Sequence, residues 1–246
     1  VSIEGGVSYF LIDNRYSGLC LYNGSSIQLN KYDIMTDSKY YTIIDKLLPY
    51  NKITELYLGR YYGIESNDKR LINEKKQGYI KCYVSQQKGF IKYITRNTVI
   101  KSIINYKVIT SEANGKSGCF GNTFVGYPNE VHTGSYISFN VQTEEEARSL
   151  ISYMKCKLPN FMLSLRKISQ HINEHTCKWI PLVPLDRQWS DKQIYNYFKL
   201  SEDDILLIKN TKIVGYKEQN KIKLKKFRMD KIKHILDGFD QNVLDV

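Results

Sequence analysis

Two short segments carry the side chains best suited to contacting a polyanion and reading a polar edge. The first, from Gly115 to His132, is punctuated by Gly115, Gly118, Gly121 and Gly126 and offers Lys116, Asn122, Tyr127 and His132. These are donor, acceptor and aromatic groups of the kind that read base edges in a groove. The second puts Arg166, Lys167 and Gln170 within little more than one helical turn. Each fits a plain alternative equally well, a structural surface loop for the first and a solvated helix face for the second. A third cluster lies toward the C-terminus, where nine Lys/Arg between Lys212 and Lys233 face only Glu218 and Asp230, a net of +7 in twenty-two residues. Its Lys223, Lys225, Lys226 and Arg228 suit phosphate contacts, which add affinity without sequence information; a solvated chain end is the alternative.

Catalytic chemistry is thinly supplied. His171 and His175 stand four apart with Glu174 between them, but HINEH has its Glu in the wrong place for a zinc-protease helix and no third ligand accompanies it. Asp68 with Glu74 and Lys76 imitates a nuclease constellation, over too short an interval and in a segment that reads as loop. The run Gly115, Gly118, Gly121 lacks the buried strand before it and the helix after it that a nucleotide-cofactor fingerprint requires. GKS at 115–117 has Thr110 where a phosphate-binding loop needs its upstream glycine. The five cysteines are odd in number, widely spaced and without a C-x-x-C pair. They read as small buried hydrophobes in reduced form, in a cytoplasm, and neither a metal site nor a disulfide framework is expected.

The formal charge of +11 points to a polyanionic partner. The chain is also rich in Lys, Asn, Ile and Tyr, a bias that AT-rich genomes impose on proteins with no nucleic-acid role, so charge alone leaves both readings open. Hydrophobic content of 42% over 246 residues describes a globular protein with one large or two small cores. No apolar run reaches the roughly 18 residues of a membrane span, and no signal-peptide pattern opens the chain. It begins on Val1 rather than Met, as a fragment or a product trimmed of its initiator would.

The elements that must position these residues follow from local pattern. Gly5-Gly6, the apolar run VSYFLI, the turn DNRYSG and LCLYNG predict a β-hairpin over residues 3–23. Asp37 or Ser38 caps a helix over 39–48 that buries Tyr41, Ile44, Leu47 and Leu48 and ends at Pro49. Residues 78–109 predict two or three strands with Gly89 at a hairpin turn, and leave room for a helix over 96–105. In 135–141, Tyr136, Ser138 and Asn140 alternate with Ile137, Phe139 and Val141, the period of two of a strand with one buried face. Thr143 and Glu146 then form a capping box, opening a helix with Ala147, Leu150, Ile151 and Met154 on one stripe. Pro159 predicts its end and Asn160 the cap of a second helix, with Phe161, Leu165 and Ile168 inward. WIPLVPL is extended, since each proline biases its predecessor away from helix. Ser190 with Gln193, and Ser201 with Asp204, open two short helices. Their apolar faces are Trp189, Ile194, Tyr197 and Phe198 in one and Ile205, Leu206 and Ile208 in the other. From Tyr216 the spacing of Leu224, Phe227, Ile232, Ile235 and Leu236 allows a basic amphipathic helix. The class is α+β.

The runs PNEVHTGSYISF, TEEEARSLISYMKCKLPNFMLSLRKISQ and WIPLVPLDRQWSDKQIYNYFKLSEDDILLI together resemble the C-terminal part of adenine-specific DNA methyltransferases of restriction–modification systems, some of which carry a nuclease on the same chain. EGGVSYFLIDNRYSGLC is similar to the segment after their catalytic motif, YYGIESN looks like a further match, and the spacing of Lys167 and Gln170 recurs in the family. The blocks run in agreeing order from about Ile3 to Ile213, and the last thirty or so residues carry no resemblance. The resemblance implies a β-hairpin over 1–30 like the end of a catalytic domain, a mixed-sheet target-recognition domain with a helix pair over 31–185, and a helical, basic region over 186–246. The family builds its pocket for an extruded adenine from Asn-Pro-Pro-Tyr, whereas the five prolines of this chain are never adjacent. The chain therefore resembles the recognition part alone, with neither catalytic nor cofactor-binding residues of its own, and S-adenosylmethionine belongs to the parent enzyme. Expected partners are double-stranded DNA and a catalytic methyltransferase domain, in cis or as a separate subunit, and no membrane. The alternatives are a stand-alone specificity subunit of type I kind, or a restriction endonuclease whose site is not evident.

Overall fold

The computed structural model describes residues 11–22 and 24–217, which divide into two compact units, 11–41 and 42–217. The protein is α+β. In the first unit, β1 (Cys20–Tyr22) pairs antiparallel with β2 (Ser25–Ile27) around Gly24, whose φ of +78° suits a tight turn. The hairpin thus lies at 20–27 instead of 3–23: Cys20–Tyr22 pairs forward, and residues 11–19 form no strand. Most of VSYFLI, and the tail from Glu218, fall outside the described residues, and with the latter the expected amphipathic helix.

The first unit ends in a 3₁₀ turn over Ser38–Tyr40, which Asp37 caps by accepting from the Lys39 N–H, and α1 (Tyr41–Leu47) begins at that unit's last residue and continues into the second unit. Ile43, Ile44 and Leu47 are fully buried, and Lys52 Nζ donates to the Leu47 and Leu48 carbonyls at the helix end, at 3.2 and 2.6 Å. Two sheets follow. The first takes the order β3 (Tyr57–Gly59), β9 (Tyr136–Val141), β6 (Tyr106–Ser111), β7 (Thr123–Gly126), all antiparallel. The second has β4 (Tyr79–Tyr83) at its centre, antiparallel to β5 (Ile91–Thr95) and parallel to β8 (Glu130–His132), so it is mixed. The turn between β4 and β5 closes on Gly89, φ +93°. In place of a helix over 96–105 there is a single 3₁₀ turn, Arg96–Thr98.

The sheets pack face to face. Val108 lies opposite Phe139 and Ile109 opposite Ser138, so alternation puts Lys107, Ile109, Tyr136 and Ser138 on one face. That face meets the second sheet, where Ile109 and Tyr136 form a cluster with Tyr83, Phe90 and Phe124. The expectation that β9 buries only one face is therefore corrected: Tyr136 and Ser138 are as buried as Ile137 and Phe139. The other face receives helices. α2 (Glu144–Met154) packs on β6, β7 and β9 and buries Ala147, Leu150, Tyr153 and Met154. Thr143 Oγ1 accepts from the Glu146 N–H, while Glu146 reaches back to the Gln142 N–H instead of to the cap residue.

α3 (Lys157–Arg166) starts two residues before Pro159, which sits in its first turn where no intrahelical N–H is needed. Its N-terminus is served from a distance, since Asp191 Oδ1 accepts from the Lys157 N–H at 2.6 Å. Phe161, Met162 and Leu163 are fully buried; Leu165 is half-buried and Ile168 exposed, so the inward stripe is not the expected Phe161, Leu165, Ile168. After α4 (Glu174–Cys177) the chain runs extended through 180–184 to α5 (Asp191–Tyr197) and α6 (Glu202–Asn210), which pack on α3. Both capping boxes form, but Leu206 is exposed and Tyr195, not Tyr197, is buried. No helix of the described residues is long and apolar enough to cross a membrane.

Candidate functional site

The glycine loop joins β6 to β7, two antiparallel neighbours, and feeds no helix. It therefore makes no strand–turn–helix cradle for a cofactor. The loop is bonded along its length. The Asn114 N–H donates to the Gln170 carbonyl at 3.1 Å and the Gly118 N–H to the Val214 carbonyl at 2.8 Å. The Phe120 N–H donates to Asn160 Oδ1 at 2.8 Å. Asn160, expected as a helix cap, instead donates through Nδ2 to the carbonyls of Met154 and Cys156, both at 2.7 Å. One buried amide thus clamps the loop to the joint between α2 and α3.

This tethering brings Lys116, Lys167 and Gln170 together around a shallow cleft of about 380 Å³ with Gly115, Ile168 and Ser169. Lys167 Nζ donates to the carbonyls of Gly115, at 3.2 Å, and Ser169, at 2.8 Å, so it braces the loop as well as carrying charge. Partial burial lowers its pKa below the usual lysine value. Gln170 and Lys116 are exposed.

Asn122 is exposed too, but lines a second, polar cleft of about 500 Å³ between the sheets. Arg60, Glu65, Ser66, Gln86, Gln87 and Glu112 also line it. Gln86 and Gln87 project from the β4–β5 turn, and the floor is the crossover from β8 to β9, where Ser66 Oγ bonds Thr133 Oγ1 at 3.0 Å and Ser135 Oγ at 2.7 Å. A chain of contacts joins the two clefts: Arg60 Nη2 lies 3.7 Å from Glu112 Oε2, His171 Nδ1 lies 2.9 Å from Glu112 Oε1, and Gln170 Nε2 lies 3.3 Å from His171 Nε2.

Three expected contact residues are not on this surface. His132 is 1% exposed. Its Nδ1 donates to the Thr133 carbonyl at 3.0 Å, which leaves Nε2 to accept from the Ser138 hydroxyl at 2.9 Å. Burial pushes its pKa down to about 4, so the ring is a neutral strut between the sheets and not a base reader. Arg166 is 7% exposed, donating from Nε to the His175 carbonyl at 2.7 Å with its guanidinium 4.5 Å from the Trp179 ring centroid. It fixes the end of α3 and is largely withdrawn from solvent. Tyr127 is partly exposed, but lies at the opposite end of β7 from Asn122, its hydroxyl 3.2 Å from Glu144 Oε1. Lys223, Lys225, Lys226 and Arg228 lie outside the described residues.

Other chemistry is tied up. Asp68 is held by Arg70, whose guanidinium lowers the carboxyl pKa. Among the described residues no group of three or more His, Cys, Asp or Glu is placed to hold a metal ion, and the cysteines are free thiols. Burial pushes Cys82, Cys156 and Cys177 up to about 12, leaving them poor nucleophiles.

Arg60, Gln86 and Gln87 carry no signal in the sequence. The QQKG turn marks Gly89 as a hairpin position, but nothing local tells that its glutamines face a cleft built from β3, β6 and β9. No protein-family model, no curated protein and no solved structure matches the chain.

Proposed function

We propose that this chain recognises duplex DNA in a sequence-dependent way, as the target-recognition part of an adenine-specific restriction–modification methyltransferase. The observation that carries the reading is the convergence of Lys116, Lys167 and Gln170 on one tethered surface, contiguous through His171 and Glu112 with a cleft lined by further amides and a guanidinium. Lysines on such a surface neutralise phosphates, while Gln, Asn and Arg side chains offer paired donors and acceptors that match base edges. The net charge of +11 supports the same partner through counterion release. On this reading a catalytic methyltransferase domain, in cis or as a separate subunit, holds S-adenosylmethionine and the extruded adenine.

The test is selection of bound duplexes from a randomised pool, with binding isotherms at about 50 and 200 mM salt. Enrichment of a short site, and steeply salt-dependent affinity for the unselected pool, are expected. Lys116→Ala should weaken binding to every duplex alike, whereas Gln170→Ala should cost about 1–3 kcal/mol on the selected site and far less on random DNA. Failure to bind any duplex at the lower salt would make the positive charge a matter of genomic composition and end the reading.

A further inference from the structure

The cleft between the sheets sets two side chains of opposite sign beside the same glycine. An ideal Cβ on Gly134 would lie 3.3 Å from Glu65 Oε2 and 3.6 Å from Arg60 Cζ. Gly134 has no positive φ, and the contacts of its would-be Cβ place the Glu65 carboxylate and the Arg60 guanidinium close together over the same stretch of backbone. Arg60 is oriented from behind by Glu112, which His171 in turn holds at 2.9 Å, yet its side chain remains 54% exposed. Glu65 is exposed, and among the described residues its carboxylate has no hydrogen-bond or ion-pair partner. The two groups meet the polar edge of the crossover at the floor, with the Gln86 and Gln87 amides on the facing turn.

An exposed guanidinium beside an exposed carboxylate, with neither neutralising the other by direct pairing, matches one ligand edge well. In the major groove guanine presents two acceptors, O6 and N7, that a guanidinium engages bidentately, and its partner cytosine presents the N4 amine, which a carboxylate accepts. An A·T pair offers the carboxylate a donor but denies the guanidinium its paired acceptors. Resting on the DNA-recognition reading above, we infer that this cleft reads one G·C base pair of the target, with Arg60 on guanine, Glu65 on cytosine and Glu112 as the residue that positions Arg60.

The experiment runs the pool selection with the full chain and with Arg60→Ala, Arg60→Lys and Glu65→Gln, each checked for an unchanged unfolding midpoint. Wild type should select a site with at least one invariant G·C pair. Arg60→Ala should lose the preference at that pair by about 5- to 150-fold while keeping the others and keeping its affinity for random DNA. Replacing that guanine by 7-deazaguanine should weaken wild type, and should leave Arg60→Ala unchanged, since the lost N7 acceptor then has no donor to miss. A selected site without a G·C pair, Arg60 variants that keep the whole site, or Arg60 variants that weaken all duplexes equally would each overturn the inference while leaving DNA recognition standing. Absence of any selected sequence with wild type would overturn both.

Discussion

Asn160→Ala tests whether one buried amide holds the recognition loop in place. Asn160 is 2% exposed, and its side chain makes three hydrogen bonds, accepting from the Phe120 N–H and donating to the Met154 and Cys156 carbonyls. Truncation orphans one donor and removes a partner from two carbonyls where water has little access. A buried polar group left unpaired costs about 1–3 kcal/mol. With the Phe120 N–H and each of the two carbonyls taken at the low end, the loss comes to about 3 kcal/mol, a large part of the roughly 5–15 kcal/mol that holds a domain folded. Asn160→Asp should cost at least as much near neutral pH, because an oxygen would then face the two carbonyls. Urea unfolding followed by fluorescence of the buried Trp179 and Trp189 gives the free energy, and amide exchange at Phe120 reports the loop itself. The expected result is a drop of about 3 kcal/mol with faster exchange at Phe120. A change below about 0.5 kcal/mol with exchange unaltered would refute the clamp.

Further perturbations discriminate within the same framework. Phe161→Ala should cost about 3–5 kcal/mol, because the ring is fully buried, and Leu165→Ala less, about 1–2 kcal/mol, because that side chain is only partly buried; equal costs by urea unfolding would contradict the orientation of α3. His132 has a folded pKa near 4 against an ordinary 6.5, so the unfolded chain binds the extra proton first. Stability is then complete above about pH 6.5 and falls by about 3 kcal/mol as pH drops to about 4, where protonation of the folded state ends the loss. His132→Gln should remove that part of the acid dependence; an unchanged slope over this window in the variant would show that other groups carry it. Neutralising Lys223, Lys225, Lys226 and Arg228 should weaken binding to all duplexes alike and flatten the salt slope by about 0.9 for each phosphate no longer neutralised; a slope identical to wild type would remove the tail from the interface.

Local signals were the most readable part of the sequence. Thr143 and Ser201 cap the helices they announce, Asp37 caps the 3₁₀ turn that leads into α1, and Ser190 pairs with Gln193 at the start of α5, because such contacts are decided within four residues. Pro159 shows the limit of such rules: a proline that ends one helix and a proline in the first turn of the next obey the same constraint, and only the position of α3 decides. Ser138 and His132 were illegible for a different reason. Their polarity argued for solvent, but each is the other's partner across two sheets that meet only in the fold. Arg166 likewise stacks on Trp179, thirteen residues along the chain, and nothing in its own helix foretells this. The contact surface followed the same division. Lys116, Lys167 and Gln170 could be named from their own segments, whereas Arg60, Glu65 and Gln86 become neighbours of Asn122 only through the crossover between the sheets.

The β4–β5 turn separates foldability from chemistry in a way that bears on engineering. Its closure is made by main chain alone: the Lys88 N–H to the Ser85 carbonyl at 2.9 Å, the Gly89 N–H to the Gln86 carbonyl at 3.1 Å, and the Val84 N–H to the Phe90 carbonyl at 2.9 Å. Gln86 lends its carbonyl to that closure, and both Gln86 and Gln87 are exposed and line the cleft. The two positions form an exchangeable cassette, open to any residue that tolerates a 3₁₀ turn, with Gly89 as the fixed hinge pin. Libraries randomised at 86 and 87 should therefore yield folded proteins almost without selection for stability, so that what such a library samples is preference at the cleft.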